Sequence, residues 1–132
     1  KLFNFHFNDS DISIRNKINI INNLIAEHEE KIANPILEYI NNRKDLLLIG
    51  KNKITNKNRA PTVSFTSAKK TSQEISKILV SKKIATRNDN FYAWRCLQAL
   101  NIDSADGVVR ISMVHYNSKK ETELILDALS NI

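Results

Sequence analysis

Hydrophobic and polar positions alternate most cleanly between Gly107 and Asn117. Val109, Ile111, Met113 and His115 fall on one face of a predicted strand. Val108, Arg110, Ser112, Val114 and Tyr116 fall on the other. The first face needs helices packed on it. The second sets a cation among small and hydroxyl-bearing side chains. A mid-strand arginine is costly to bury unless an anion or a hydrogen-bonding group meets it. Arg110 is therefore the first candidate site residue. Thr62 to Thr66 repeats the asymmetry, with Val63 and Phe65 on one side and Thr62, Ser64 and Thr66 on the other, and Pro61 suits the first position of that strand.

Elsewhere the apolar period is helical. Ile14, Ile18, Ile21, Ile25, His28, Ile32, Ile36 and Tyr39 recur every three or four residues, which predicts one long amphipathic helix. Asp9-Ser10-Asp11 supplies start chemistry, and Pro35 is expected to kink or split the helix because it lacks an N–H. Upstream, Phe3, Phe5 and Phe7 alternate with Asn4 and His6 as in a short strand or extended lead-in, with His6 on the polar side. His28 begins His-Glu-Glu-Lys-Ile, without the second histidine of a zinc helix, so a partly buried structural histidine is expected. Leu46 to Ile49 reads as a buried strand ended by Gly50. Thr71-Ser-Gln-Glu74 and Ser118-Lys-Lys-Glu121 are capping boxes opening two helices. The first directs Ile75, Ile78 and Leu79 inward; the second directs Leu124, Ile125, Ala128, Leu129 and Ile132 inward. Ile84 to Arg87 is a further strand candidate, Asn88-Asp-Asn90 a turn, and Phe91 to Leu100 a helix with Phe91, Trp94 and Leu97 apolar.

This order predicts an α+β fold. A two-layer small domain over 44–132, with a three- to four-stranded, mostly antiparallel sheet and helices on one face, follows a lead-in segment and long kinked linker helix over 1–43. The free sheet face would show Thr62, Ser64, Arg110 and Ser112, with Arg59 or Arg87 at its edge. That pattern fits the wall of a site shared with another domain and equally a solvated face.

With 132 residues, the chain is large enough for one such core. No apolar run approaches the ~20 residues of a membrane span. Lys1-Leu-Phe-Asn lacks the apolar core of a signal peptide, and a single cysteine, Cys96, gives no internal disulfide. A cytoplasmic protein is the expectation, and the absence of an initial Met suggests a piece of a longer polypeptide. The net charge of +6 raises nucleic acid as a partner. The only concentrated basic run, Lys51 to Arg59, has no aromatic residue to stack on bases, so nucleic acid is not favoured and a solvated loop is expected.

Three segments in order, Arg59-Ala-Pro-Thr-Val-Ser-Phe-Thr66, Ile84-Ala-Thr-Arg-Asn-Asp-Asn-Phe-Tyr-Ala93 and Asp106-Gly-Val-Val-Arg-Ile-Ser-Met-Val-His-Tyr-Asn117, resemble the C-terminal part of class V aminotransferase-fold enzymes, in particular the cysteine desulfurase-like group. Ile25-Ala-Glu-His-Glu-Glu30 resembles the linker helix of that family. The most specific element is the Arg-x-Ser-x-x-x-Tyr-Asn pattern filled by Arg110, Ser112, Tyr116 and Asn117.

The resemblance implies a fold-type I enzyme dependent on pyridoxal phosphate, a transferase or lyase that is usually a homodimer. Its large domain holds the cofactor on a lysine, and a small C-terminal domain closes over an amino-acid-like substrate. This chain would be that small domain. Arg110 stands where the family grips the substrate α-carboxylate, and Arg87 where related desulfurases carry a second arginine. His115 and Asn117 would neighbour the site, with closing the strand-to-helix corner as their expected role. Two departures stand out. Residues 88–93 lack the cysteine of persulfide-forming desulfurases, and Asp89 stands where a glycine is common. No cofactor lysine motif, pyridine-facing aspartate or glycine-rich phosphate cradle is recognisable, and there are only two glycines. The chain alone is expected neither to hold the cofactor covalently nor to turn over substrate. The alternative is a stand-alone basic α+β module that binds an anionic partner such as nucleic acid through Lys51 to Arg59 and Arg110.

Overall fold

The fold was determined as a computed structural model, which describes residues 2–7, 12–55 and 58–132. Helices α1 (Leu2–His6) and α2 (Ile14–Asn42) precede strands β1 (Leu46–Ile49) and β2 (Thr62–Ser67). Then come α3 (Ser72–Ser81), β3 (Arg87–Asp89), α4 (Trp94–Ala99), β4 (Val108–Ser112) and α5 (Lys119–Ser130). The strands form one four-stranded sheet in the order β1-β2-β4-β3. Every pair is antiparallel, so the α+β expectation holds.

The core explains the layering. Val63 and Phe65 of β2 and Val109 and Ile111 of β4 are buried, and Met113 continues their face just past β4. They meet Ile32, Ala33, Ile36, Leu37 and Ile40 of α2, Ile75 and Leu79 of α3, and Ile125, Ala128 and Leu129 of α5 in one apolar cluster. Three helices thus cover one face of the sheet. Both predicted capping boxes are present: Thr71 and Ser118 each accept from the N–H of Glu74 and Glu121, whose carboxylates bond back. Thr122 Oγ1, buried on α5, donates to Ile32 O at 2.9 Å and ties α5 to α2.

Several local expectations are corrected. Phe3, Phe5 and Phe7 belong to a helical turn rather than a strand, since Phe7 N donates to Phe3 O at 2.8 Å. The start signal at 9–11 lies outside the described residues, and Ser13 is the N-cap of α2. At Pro35 the sequence leaves a kink or a split open, and the split does not occur: α2 runs through it as the one long helix expected. Buried Ile32, Ala33, Ile36 and Leu37 on either side hold the helix together where the backbone bond is missing. β1 is an edge strand with Leu47 facing outward, not a fully buried one. The third strand begins at Arg87 instead of ending there, α4 starts at Trp94, and Leu124 is on the exposed side of α5. β4 ends at Ser112, so His115 and Tyr116 lie beyond it and are exposed.

The junction of α2 with β1 is pinned by Arg43. Its guanidinium forms a two-pronged pair with Asp45, both bonds at 2.7 Å. It also donates to Tyr39 Oη and to the carbonyls of Leu129 in the last turn of α5 and of Ile132 just beyond it. The hydrogen bonds from Arg43 and then Lys69 hold the Asp45 carboxyl well below the usual carboxylate range. The same pair, with Tyr39, raises Arg43 above its ordinary value.

Candidate functional site

The sheet face opposite the helices carries the candidate site. In an antiparallel pair, directly opposed residues point to the same side. Ser64 is opposed to Arg110 across β2 and β4, Arg87 to Arg110 across β3 and β4, and Thr62 to Ser112. Ser64, Arg110 and Arg87 therefore form one row across the sheet, the three residues brought together from distant parts of the chain. Arg110 is half-buried. Among the described residues its guanidinium has no carboxylate partner and no hydrogen-bond acceptor. Asp89 is two residues from Arg87 on this face, but its Oδ1 accepts from Asn90 N at 2.7 Å.

What Arg110 does have is an aromatic lid. Its guanidinium carbon sits 4.0 Å from the ring centroid of Phe91, within the range of a cation–π contact. Phe91 is placed there by a tight turn. Ala93 N donates to Asn90 O at 2.8 Å, and Phe91 and Tyr92 between them have φ of 51° and 59°. Two positive φ values are the pattern of a type I′ turn, normally filled by glycine or asparagine. Asn90 braces it by accepting from Tyr92 N at 3.0 Å through its side chain. Gly107 makes room for it: with φ of 72°, a Cβ there would lie 2.3 Å from the carbonyl carbon and oxygen of Asp89. Val108, on the Arg110 face by alternation, is buried apart from the main cluster, as is Leu97 of α4. This end of the face is thus covered, while Ser112 remains exposed. The role of Phe91 was not legible in sequence, where its apolar character read as part of a helix.

The remaining predicted residues fall elsewhere. Asn117 is occupied at the strand-to-helix corner. Its Oδ1 accepts from Val114 N at 2.8 Å, its Nδ2 donates to Glu121 at 3.0 Å, and its carbonyl accepts from His28 Nε2 at 2.7 Å. His28 thereby fastens the middle of α2 to that corner. His115 is exposed and meets only Tyr116, edge to face, among the described rings. Neither His115 nor Asn117 touches Arg110 through a hydrogen bond among the described residues. Arg59 is not available at the edge of the face. It donates to the carbonyls of Lys51, Ile49 and Thr62, closing the β1–β2 connection, and burial pushes its guanidinium down from the ordinary value.

Chemically, the row can receive a small anion at Arg110, in the two-pronged manner that suits a guanidinium and a carboxylate. It is not equipped to hold pyridoxal phosphate. The strand positions on this face are Leu47, Ile49, Thr62, Ser64, Thr66, Arg87, Asp89, Val108, Arg110 and Ser112, with no lysine to anchor a cofactor. Among the described residues no three His, Cys, Asp or Glu side chains gather as a metal set, and no helix is long and apolar enough to cross a membrane.

An α+β domain with a covered and an open sheet face, and arginines on the open one, is the class of protein that this geometry defines. Aminotransferase class-V is the family whose pattern matches residues 12–125; the chain belongs to that family. It is 34% identical over 109 residues, 82% of its own length and 27% of the relative's, to the aminotransferase-like protein FGM3 of Gibberella zeae. The apo cysteine desulfurase of Thermococcus onnurineus NA1 superposes with a TM-score of 0.74 at 25% identity, over 89% of this chain and 28% of that one. The cysteine desulfurase CsdA of Escherichia coli gives 0.66 at 17% identity, over 80% and 24% respectively, a likeness of fold. The chain therefore spans about a quarter of the length of these relatives.

Proposed function

We propose that this chain is the substrate-gripping small domain of a pyridoxal-phosphate-dependent enzyme. Arg110 binds the carboxylate of an amino-acid-like substrate, and Arg87 adds positive potential beside it. The single observation that carries the reading is half-buried Arg110, its guanidinium free of any acid among the described residues, in a row with Ser64 and Arg87. A half-buried arginine whose donors meet no anion is left incompletely satisfied by the Phe91 ring alone, and a substrate carboxylate would supply the acceptor at the moment of binding. Family membership supplies the cofactor in this reading, held by a second, larger domain of the same polypeptide in a homodimer. That domain would also close the open sheet face and the first turns of α2, where Ile14, Ile18, Ile20 and Leu24 are each at least 40% exposed. Asn117 supports the corner rather than the ligand, and His115 stands exposed beside it.

The nucleic-acid alternative has less in its favour, because Arg59 of the basic run is spent on backbone carbonyls.

The test uses the complete polypeptide purified with added pyridoxal phosphate and follows its bound-cofactor absorbance during titration with amino acids and with the corresponding amino-acid amides. The expected result is a spectral response to acids, a much weaker one to amides, and loss of that discrimination in Arg110→Ala. A protein with no bound cofactor, or one that treats acids and amides alike, overturns the reading.

A further inference from the structure

Nothing in the carboxylate reading requires an aromatic ring at position 91, yet the chain places one on Arg110. We propose that Phe91 is a positioning residue that covers one face of the Arg110 guanidinium, fixes its plane and so presents its edge to a planar anion. The inference rests on the proposed carboxylate site and deepens it.

Three independent features converge on the ring. The first is contact, with the guanidinium carbon 4.0 Å from the ring centroid. The second is backbone conformation. Phe91 and Tyr92 both adopt positive φ, 51° and 59°, a region that bulky residues rarely visit and that surrounding structure must enforce. The third is accommodation. Gly107, three residues before Arg110 on the same strand approach, is the position where any side chain would strike the Asp89 backbone at 2.3 Å. The loop is thus seated against β4 as tightly as the backbone permits, and the seating sends Phe91 over Arg110 while its neighbour Tyr92 is 98% exposed.

The consequence follows from guanidinium geometry. An arginine stacked on a ring keeps its N–H donors in its own plane, directed past the ring. A free arginine on an open sheet face samples many rotamers and loses that freedom when it binds. Phe91 removes part of that loss in advance. Ser64 and Arg87 are the cross-strand neighbours of Arg110 and share its side of the sheet. A ligand then approaches edge-on, which suits a carboxylate whose two oxygens lie in the same plane.

The experiment uses this 132-residue chain and reads the Nε–Hε signal of Arg110 by NMR, assigned by its disappearance in Arg110→Lys. Acetate is the probe and acetamide its neutral control. In the wild type the signal carries a ring-current shift and moves on adding acetate but not acetamide. Phe91→Leu, which preserves size and apolarity, abolishes the ring-current shift and weakens acetate binding about two- to fivefold, the range of an exposed cation–π contact. Phe91→Tyr restores both, an outcome that a purely structural role for the loop does not demand. If Phe91→Leu loses the shift but binds acetate like the wild type, the positioning role is overturned while the carboxylate site stands. If the wild-type signal keeps its ring-current shift and ignores acetate, the carboxylate site itself fails, and the positioning role falls with it.

Discussion

Arg87 and Arg110 are directly opposed across the β3–β4 pair, so two like charges occupy one cross-strand position on the open sheet face. Like charges placed opposite each other destabilise a sheet by an amount comparable to what a favourable pair contributes, roughly 0.2–1 kcal/mol. Arg87, the exposed member, can therefore be neutralised at no structural loss. Arg87→Gln is expected to leave the fold of this chain intact and to raise its unfolding free energy by a few tenths of a kcal/mol, about the lower half of that range. The gain should shrink as salt screens the pair. Urea unfolding at low and high salt checks this; a loss of stability at low salt would show that Arg87 has an attractive partner on this face.

The same juxtaposition predicts different consequences for function. In the complete polypeptide, Arg110→Ala should weaken substrate use by about 2–4 kcal/mol, the scale of a charge-assisted pair lost from a closed site. Stability of the present chain should change much less, because among the described residues Arg110 has no ion pair to lose. Steady-state kinetics of the parent beside denaturant unfolding of the chain separate the two. Unchanged kinetics would remove Arg110 from the site.

Gly107→Ala tests how the turn is seated. The new methyl would meet the Asp89 carbonyl and the Asn90 N at 2.3 and 2.7 Å, and φ is 72°. These neighbours are backbone atoms and cannot swing aside. A destabilisation above about 1 kcal/mol is expected, because alanine at positive φ adds strain to the overlap. The variant should also move Phe91 off Arg110. A Gly107→Ala protein with wild-type stability and an unaltered Arg110 signal would show that the 89–90 backbone is not held against β4.

The parts of this fold that could be read from sequence are those governed by local chemistry. Thr71 to Glu74 and Ser118 to Glu121 announce helix starts because each box satisfies its own orphan N–H groups. Val109, Ile111 and Met113 identify the buried side of β4 by alternation alone. The misread parts are decided at a distance. β3 is Arg87–Asp89 because those residues pair with β4, whereas Asn88-Asp-Asn90 has the composition of a turn. The actual turn sets two aromatic residues at positive φ, against their preference, so no local signal marks it. Pro35 leaves a kink or a split open in the sequence, and the buried side chains around it carry α2 through as one helix. Arg110 stood out because a cation in mid-strand conflicts with its surroundings. Phe91 did not, since an apolar residue near an apolar helix raises no conflict.

Thr122 offers a measure of how firmly the last helix is joined to the long one. Its buried hydroxyl donates to Ile32 O, a helical carbonyl three residues before Pro35. Thr122→Val keeps the shape and removes the donor. The expected loss is about 0.5–1.5 kcal/mol, the net worth of a typical intramolecular hydrogen bond. Denaturant midpoints at unchanged slope would confirm it, and a stability equal to the wild type would mean that the contact is replaced without cost.

The Arg43–Asp45 pair predicts the acid limb of the stability curve. Hydrogen bonds from Arg43 and Lys69 depress the folded pKa of Asp45 below the roughly 3.9 of an unfolded aspartate. The folded state therefore binds the proton less readily than the unfolded chain, and the pair's contribution is fully present above that unfolded value. It is lost as pH falls through about 4 toward the folded value. Glu74 and Glu121 act with the same sign: the N–H groups of Thr71 and Ser118 that their carboxylates accept lower both below the ordinary glutamate value. Stability should thus be level from neutral pH down to about 5 and decline below it. Asp45→Asn keeps the shape and cannot titrate. It should lower stability at neutral pH and make the decline below pH ~4 shallower than in the wild type. Urea unfolding from pH 7 to pH 3 measures both slopes. Parallel curves for the two proteins would mean that Asp45 titrates alike in the folded and unfolded states, and that the clamp at the α2–β1 junction draws its strength from the carbonyls of Leu129 and Ile132 instead.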